Sequence, residues 1–217
     1  MHGIGIEWNE GVVLSESKRI TIMRLTGFCG LTNPAIVFSL IALSISYSPW
    51  FSWTENALSD LGVHGIAAVL FNFSLIIGGV LTISFAIGLR EIMPRGFLAR
   101  AGLLFLILAA AALCAIGLFP ETAGSTHFYA SVSFFTLFPV SLFLIGGTMV
   151  QHPHMKRLGV LAVLAGLTAA AIWALPWTSA AIPEALSSLA LSVWSMASGT
   201  GLLREASQLR RHCSKSR

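Results

Sequence analysis

The sequence predicts an all-α membrane protein, a polytopic bundle of about six transmembrane helices with both termini in the cytoplasm. Of its 217 residues, 55% are hydrophobic and only 10% are charged, and the mean hydropathy is +0.81. A soluble domain carries roughly a quarter charged residues, so this chain cannot cover a sizeable water-facing surface. The spacing of the apolar runs and the positions of the basic residues support the same fold class.

The apolar runs predict the transmembrane helices. A helix needs roughly 20 apolar residues to cross the hydrocarbon, and none of the runs contains Lys, Arg, Asp or Glu except at its ends. They are also about twice as long as a membrane β-strand, which argues against a barrel. The six runs occupy residues 25–47, 66–89, 98–119, 127–150, 158–176 and 184–203.

The polar segments at the two ends lie outside the predicted bundle. Residues 1–24 carry charges of both signs and lack the apolar core of a signal peptide, so we expect a cytoplasmic N-terminal segment. Met23 stands directly before the first run and is an alternative start to Met1. Residues 25–205 then form the six-helix transmembrane domain, and residues 206–217 form a basic cytoplasmic tail.

The basic residues predict the orientation. All 13 Lys and Arg fall in the N-terminal segment, the second and fourth connections and the tail. The other connections, near residues 48–65, 120–126 and 177–183, contain none, so the positive-inside rule places them outside the cytoplasm. The net charge of +4 therefore reflects topology in the cell membrane, and we expect the lipid bilayer, with no nucleic acid, as the partner.

Small residues and a proline indicate how the helices pack. Helix backbones approach closely at small residues, and this contact is a main source of cohesion in lipid. Gly78-Gly79 in the second run and Gly146-Gly147 in the fourth are such places. Pro34 lies inside the first run and should kink it where a neighbouring helix can satisfy the freed carbonyl.

Polar residues on the predicted outer face form the candidate binding site. Asp60 and His64 are spaced i, i+4 and would share one face of a helix. His127 lies at the entry to the fourth run, with Ser131 one turn below it. These oxygen and nitrogen groups suit a divalent metal or acid–base chemistry near the outer leaflet. The candidate ligand-binding residues are Asn56, Asp60, His64, Glu121, His127 and Ser131.

The same acids also have a purely structural interpretation, as charges that stabilise helix ends. Asp60, Glu121 and Glu184 each fall near the start of an inward-running helix, where the macrodipole and the unpaired amides stabilise a carboxylate. There is no GxSxG, HExxH, Walker or Rossmann pattern, and the three cysteines show no metal-ligand spacing. The sequence therefore assigns no catalytic residue, metal or cofactor, and it leaves open whether the protein is an enzyme.

Two short motifs resemble a known family. They are Asn56-Ala-Leu-Ser-Asp-Leu-Gly62 with Leu70-Phe-Asn72, and Phe119-Pro-Glu121 with Gly124 and His127. Both are similar to a family of multi-pass prokaryotic membrane proteins catalogued as domain of unknown function 998. The resemblance covers residues 25–205 and implies six or so helices, without an established activity or catalytic residue.

Two classes of function remain open at this point. The first is a protein that binds a small molecule, an ion or a lipid at the outward-facing acidic and histidine site. The second is a membrane-embedded hydrolase or transferase that acts at the outer leaflet. Proton-coupled transport is disfavoured, because no ionisable residue lies in the middle of a predicted span to relay charge.

Overall fold

Residues 10–215 fold into six α-helices joined by short connections. The computed structural model describes residues 10–215, and within them it contains helices and no strands. Two of the connections contain short 3₁₀ helices, Leu58–Gly62 and Glu121–Ala123. The α-helices are α1 (Glu10–Ser46), α2 (Gly65–Ile92), α3 (Phe97–Leu118), α4 (Ser125–Val150), α5 (Lys156–Ile172) and α6 (Ala181–Lys215). The all-α fold class is confirmed.

Five of these helices are long and apolar enough to cross a membrane: α1, α2, α3, α4 and α6, as judged over the described residues. The fifth predicted span, 158–176, is longer than the helix found there, because α5 ends at Ile172 after 17 residues. Pro176 follows shortly, and a proline ring disfavours helical geometry at the residue before it. At about 1.5 Å per residue, α5 is about 26 Å long, whereas the hydrocarbon core is about 30 Å thick.

Helix α1 begins well before the first apolar run. Residues 10–24 are helical and continue directly into the apolar part of α1, while residues 1–9 of the predicted N-terminal segment lie outside the described residues. At the other end, α6 continues through the basic tail as far as Lys215. The Arg19 side chain forms an ion pair with the Glu91 carboxylate at 3.2 Å, which connects the N-terminal part of helix α1 to the end of α2.

The six helices form a closed ring. Each packs against its neighbours in the chain, and α6 packs against α1 to complete the circle. Small residues permit these contacts: a Cβ on Gly146 would lie 2.8 Å from the Gly159 carbonyl oxygen, and one on Gly199 would lie 2.7 Å from that of Gly27. Gly146 thus lies at a helix contact as predicted, whereas nothing lies within 4 Å of a Cβ placed on Gly147.

The proline in α1 is compensated from the neighbouring helix. Pro34 has no N–H to donate to the Gly30 carbonyl, which would otherwise be left without a partner. The Ser195 hydroxyl of α6 donates to that carbonyl oxygen at 2.9 Å. This cross-helix bond is the arrangement expected for a proline inside a membrane helix.

Candidate functional site

The three connections without basic residues meet at one end of the ring. The Ser179 hydroxyl in the last of these connections donates to the Trp53 carbonyl at 2.9 Å, and the Ala181 amide donates to the Asn56 carbonyl at 3.2 Å. The two 3₁₀ helices also contact each other. These segments, residues 47–64, 119–124 and 173–180, form one folded layer that we call the polar cap.

Local hydrogen bonds shape the first part of the cap. The Asn56 side-chain oxygen accepts from the Ser52 amide at 2.9 Å, and its side-chain nitrogen donates to Asp60 Oδ2 at 2.9 Å. The Ala57 amide donates to the same Asp60 oxygen at 3.0 Å, which holds the start of the 3₁₀ helix. Asn56 therefore builds the loop and orients Asp60.

Three carboxylates converge in the cap. Asp60 and Glu121 are hydrogen-bonded to each other through their side chains. Glu121 Oε2 also accepts from the Ser59 hydroxyl at 3.4 Å. Glu184, in the first turn of α6, accepts from the Leu58 amide at 2.7 Å and lies close enough to both other acids for their charges to interact. The structural interpretation of these acids as separate helix-end charges is therefore incomplete, because they form one cluster.

The pKa values of Asp60 and Glu121 are shifted in opposite directions. Burial opposes ionisation of Asp60, but hydrogen bonds from Glu121, Asn56 and the Ala57 amide outweigh it and lower the pKa of Asp60 below its usual range. The hydrogen bond to Asp60, followed by burial and by the negative charge of Asp60, raises the pKa of Glu121 to about 7. Near neutral pH, Glu121 therefore holds a proton for much of the time and donates it to the Asp60 carboxylate.

His127 and Ser131 form a second polar pair beside the carboxylates. The His127 side chain is buried, with 7% of its surface exposed, and its Nδ1 lies 2.8 Å from the Phe119 carbonyl oxygen. A carbonyl only accepts, so Nδ1 carries the proton in the neutral ring and Nε2 is left as an acceptor. The Ser131 hydroxyl lies 3.4 Å from Nε2 and can donate to it.

The six predicted site residues differ in their surroundings. Glu121, His127 and Ser131 line one cleft, while Asn56 and Asp60 lie beside it in the cap. His64 is exposed at the residue before α2 and does not line the cleft. Glu184 was not among the candidates, although the repeated Pro-Glu pair at 120–121 and 183–184 was a signal that could have identified it.

The cleft has a volume of about 790 Å³ and lies between α4, α5 and the first turn of α6. It exists because α5 is nine residues shorter than α4, 17 against 26 residues. Phe135 of α4 packs against Trp173, the residue after α5, with ring centroids 4.9 Å apart and the ring planes inclined at 59°. The first turns of α4 therefore have no α5 beside them.

The lining of the cleft changes from polar to apolar along its length. Its cap end carries Ser59, Glu121, His127, Ser131 and Glu184. The wall that descends along α4 and α5 consists mainly of apolar side chains. They are Phe128, Val132, Phe135, Pro139, Val140, Phe143, Ala170 and Trp173. Phe128 and Val132 are largely exposed, so the cleft opens sideways, toward the surface that lipid covers in a membrane helix bundle.

A metal centre receives no support from this geometry. Within residues 10–215, no group of three or more His, Cys, Asp or Glu side chains is arranged to hold a metal ion. The carboxyl oxygens instead accept hydrogen bonds from the Ala57 and Leu58 amides and from the Ser59 hydroxyl.

Fold and site together define a multi-pass helical membrane protein with a polar cap and a lateral cleft. Residues 33–201 match the family model described as "Protein of unknown function (DUF998)", and the chain belongs to this family. The matched region runs from the middle of α1 into α6 and includes the whole cap and cleft. No curated protein and no solved structure matches the chain.

Proposed function

We propose that this protein binds a lipid or lipid-like amphiphile in the lateral cleft, with the polar head at the cap and the chain along α4. The observation that carries the proposal is the continuous change of the lining from carboxylates and His127 to aromatic and aliphatic side chains. Ligand sites combine apolar walls with a few convergent polar groups in this way. The volume of about 790 Å³ is in the range of small-molecule sites.

The negative charge of the cap determines which ligand head groups can bind there. Residues 47–64, 119–124 and 173–180 contain no Lys or Arg, while Asp60, Glu121 and Glu184 lie together. An anionic head would meet uncompensated negative charge, whereas an amine would find acceptors. We therefore propose a cationic or hydrogen-bond-donating head group.

The orientation that we propose follows from the basic residues. All 13 Lys and Arg lie outside the cap, so the positive-inside rule favours a cap that faces away from the cytoplasm, with both termini inside. Alternation of the helices then requires α5 to cross the membrane as well, as the fifth of six spans. Its shortness is tolerable because polar residues and lipid adapt to a short helix at modest cost.

Fluorescence quenching tests the proposal directly. Trp173 lines the cleft, so an alkylamine brominated along its chain should quench its emission saturably in detergent-solubilised protein. Comparison with the Trp173→Phe variant shows how much of the quenched emission comes from Trp173. An alkyl sulfonate with the same brominated chain should quench far less, because its head repels the carboxylates.

Two matched variants locate the binding. Ala170→Phe fills the cleft and should weaken saturable quenching at least tenfold, while Leu167→Phe lies on the same helix outside the cleft lining and should leave it unchanged. Equal, non-saturable quenching by both probes, or equal effects of the two variants, would refute binding in this cleft.

A second function, ester hydrolysis or acyl transfer, is favoured by one specific observation. Ser131 and His127 line the cleft with Nε2 positioned to accept the serine proton, and the Phe119 carbonyl orients the ring. In such a step Ser131 Oγ attacks the carbonyl carbon of an ester while His127 Nε2 takes the serine proton. The ester C–O bond then breaks, His127 returns the proton to the departing alcohol, and water or a second alcohol releases the acyl group from Ser131. A fluorophosphonate probe should label the protein but not Ser131→Ala, with Ser133→Ala as the control. Labelling that survives Ser131→Ala would exclude this role.

A further inference from the structure

A second, smaller cavity lies inside the ring, separate from the lateral cleft. It has a volume of about 80 Å³ and is enclosed by α1, α2, α3, α4 and α6, and Leu58 also contributes to its wall. Most of its lining is apolar, including Phe38, Leu75, Phe134 and Leu191. No Asp, Glu, Lys, Arg or His lines it. Any occupant must therefore be neutral.

Asn33 lines this cavity. Its side-chain nitrogen donates to the Gly78 carbonyl at 3.2 Å and to the Thr82 hydroxyl at 3.0 Å, and that hydroxyl itself donates to the Gly78 carbonyl. A flipped amide would set its oxygen against the carbonyl, so the observed orientation is the favourable one. The remaining atom, Asn33 Oδ1, is buried and has no hydrogen-bond partner among residues 10–215.

Trp194 lines the same cavity. Its side chain is 0% exposed, and its ring packs edge-on against Phe85 with the centroids 5.8 Å apart. The indole Nε1 is buried and has no partner within the described part of the chain. Buried indole N–H groups usually find an acceptor, since leaving one unpaired in a low-dielectric interior is costly.

We propose that the interior cavity is a binding site for a small neutral molecule that both donates and accepts hydrogen bonds. Trp194 Nε1 donates to this molecule, and the molecule donates to Asn33 Oδ1. A water needs about 10 to 15 Å³ of space open to a water-sized probe, so the cavity has room for several waters, or for one amide or alcohol of a few heavy atoms. Water and small amides share this chemistry, and the experiment below distinguishes them.

This site is independent of the amphiphile site. The cavity and the cleft share no lining residue, because successive side chains of a helix point in different directions. Phe134 lines the cavity and Phe135 the cleft. Ala185 likewise lines the cavity and Glu184 the cleft. Failure of amphiphile binding would therefore leave this proposal intact, and the converse also holds.

Nuclear magnetic resonance of protein labelled with ¹⁵N-tryptophan tests the proposal in detergent micelles. The Trp194 indole signal is assigned by its loss in Trp194→Phe or, if that variant does not fold, by its selective shift in Phe85→Leu, which changes the packed ring. A rotating-frame experiment then detects through-space contact between the indole proton and water. Trp177 is the internal reference, because its Nε1 already donates to the Ile172 carbonyl at 2.6 Å.

Acetamide is the probe for a small amide. A saturable shift of the Trp194 signal with loss of its water contact, while Trp177 does not move, supports an amide-like ligand. A persistent water contact without such a shift supports bound water. In either case Asn33→Leu should weaken the contact or the shift severalfold. A Trp194 indole that shows neither water contact nor acetamide response would overturn the proposal.

Discussion

The hydrogen bond across the proline in α1 supports a quantitative prediction. Ser195→Ala removes the hydroxyl that donates to the Gly30 carbonyl at 2.9 Å, and Pro34 cannot supply an amide in its place. The carbonyl is then left unpaired inside the bundle. We expect the free energy of unfolding to fall by about 1 to 2 kcal/mol, the scale of a lost hydrogen bond between membrane helices.

A double-mutant cycle separates this bond from general packing. In Pro34→Ala the restored amide can donate to the Gly30 carbonyl, so adding Ser195→Ala should cost less than about 0.5 kcal/mol. Ser192→Ala is the matched control, since that hydroxyl donates at 2.7 Å to the Ser188 carbonyl of its own helix, and its loss should cost under about 0.5 kcal/mol. The measurement is reversible unfolding of the detergent-solubilised protein by dodecyl sulfate.

The cycle has a clear refuting result. If Ser195→Ala costs the same with and without Pro34, the hydroxyl does not replace the missing amide, and the reasoning about the proline fails. An equal cost for Ser192→Ala would likewise show that removal of any serine from α6 has the same effect.

Two further predictions concern the cap. The pKa of Glu121 is raised by folding to about 7, so the folded state holds a proton that the unfolded chain releases, and stability should fall as pH rises from about 5 toward 7. Thermal unfolding of Glu121→Gln should show a flatter profile over this interval, and an unchanged slope would contradict the raised pKa of Glu121. For topology, single cysteines at Glu55 and Thr122 in a cysteine-free background should react with impermeant maleimide from outside, and one at His154 only from inside. Reversal at any position would overturn the six-span orientation.

The helices were largely predictable because each apolar run must satisfy its backbone internally in lipid. The ends of the helices were less predictable, since hydropathy marks only the part of a helix that lies in the membrane. Thus α1 already includes Glu10, and α6 continues to Lys215, both beyond the apolar runs. Conversely, the apolar run at 158–176 extends beyond the end of α5 at Ile172.

The candidate site was only partly predictable. The sequence singles out Asp60, Glu121 and His127 because charged and histidine side chains are rare in so apolar a chain. Glu184 was left out because it lies 63 residues beyond Glu121 in sequence, and no local pattern shows that the two acids meet. The contact of Glu184 with the Leu58 amide depends on α6 closing the ring against α1, which is a tertiary property.

The sequence by itself determined that this chain is an all-α, multi-pass membrane protein, and two short motifs near the cap indicated its family. Hydropathy and family motifs are local properties, so they can be read without knowing how the helices pack. Tertiary structure alone decided that the three acids form one cluster, that a short α5 leaves a cleft beside α4, and that Asn33 and Trp194 line one interior cavity. Each of these depends on distances between helices far apart in the chain, and those distances are set by which small residues allow close approach.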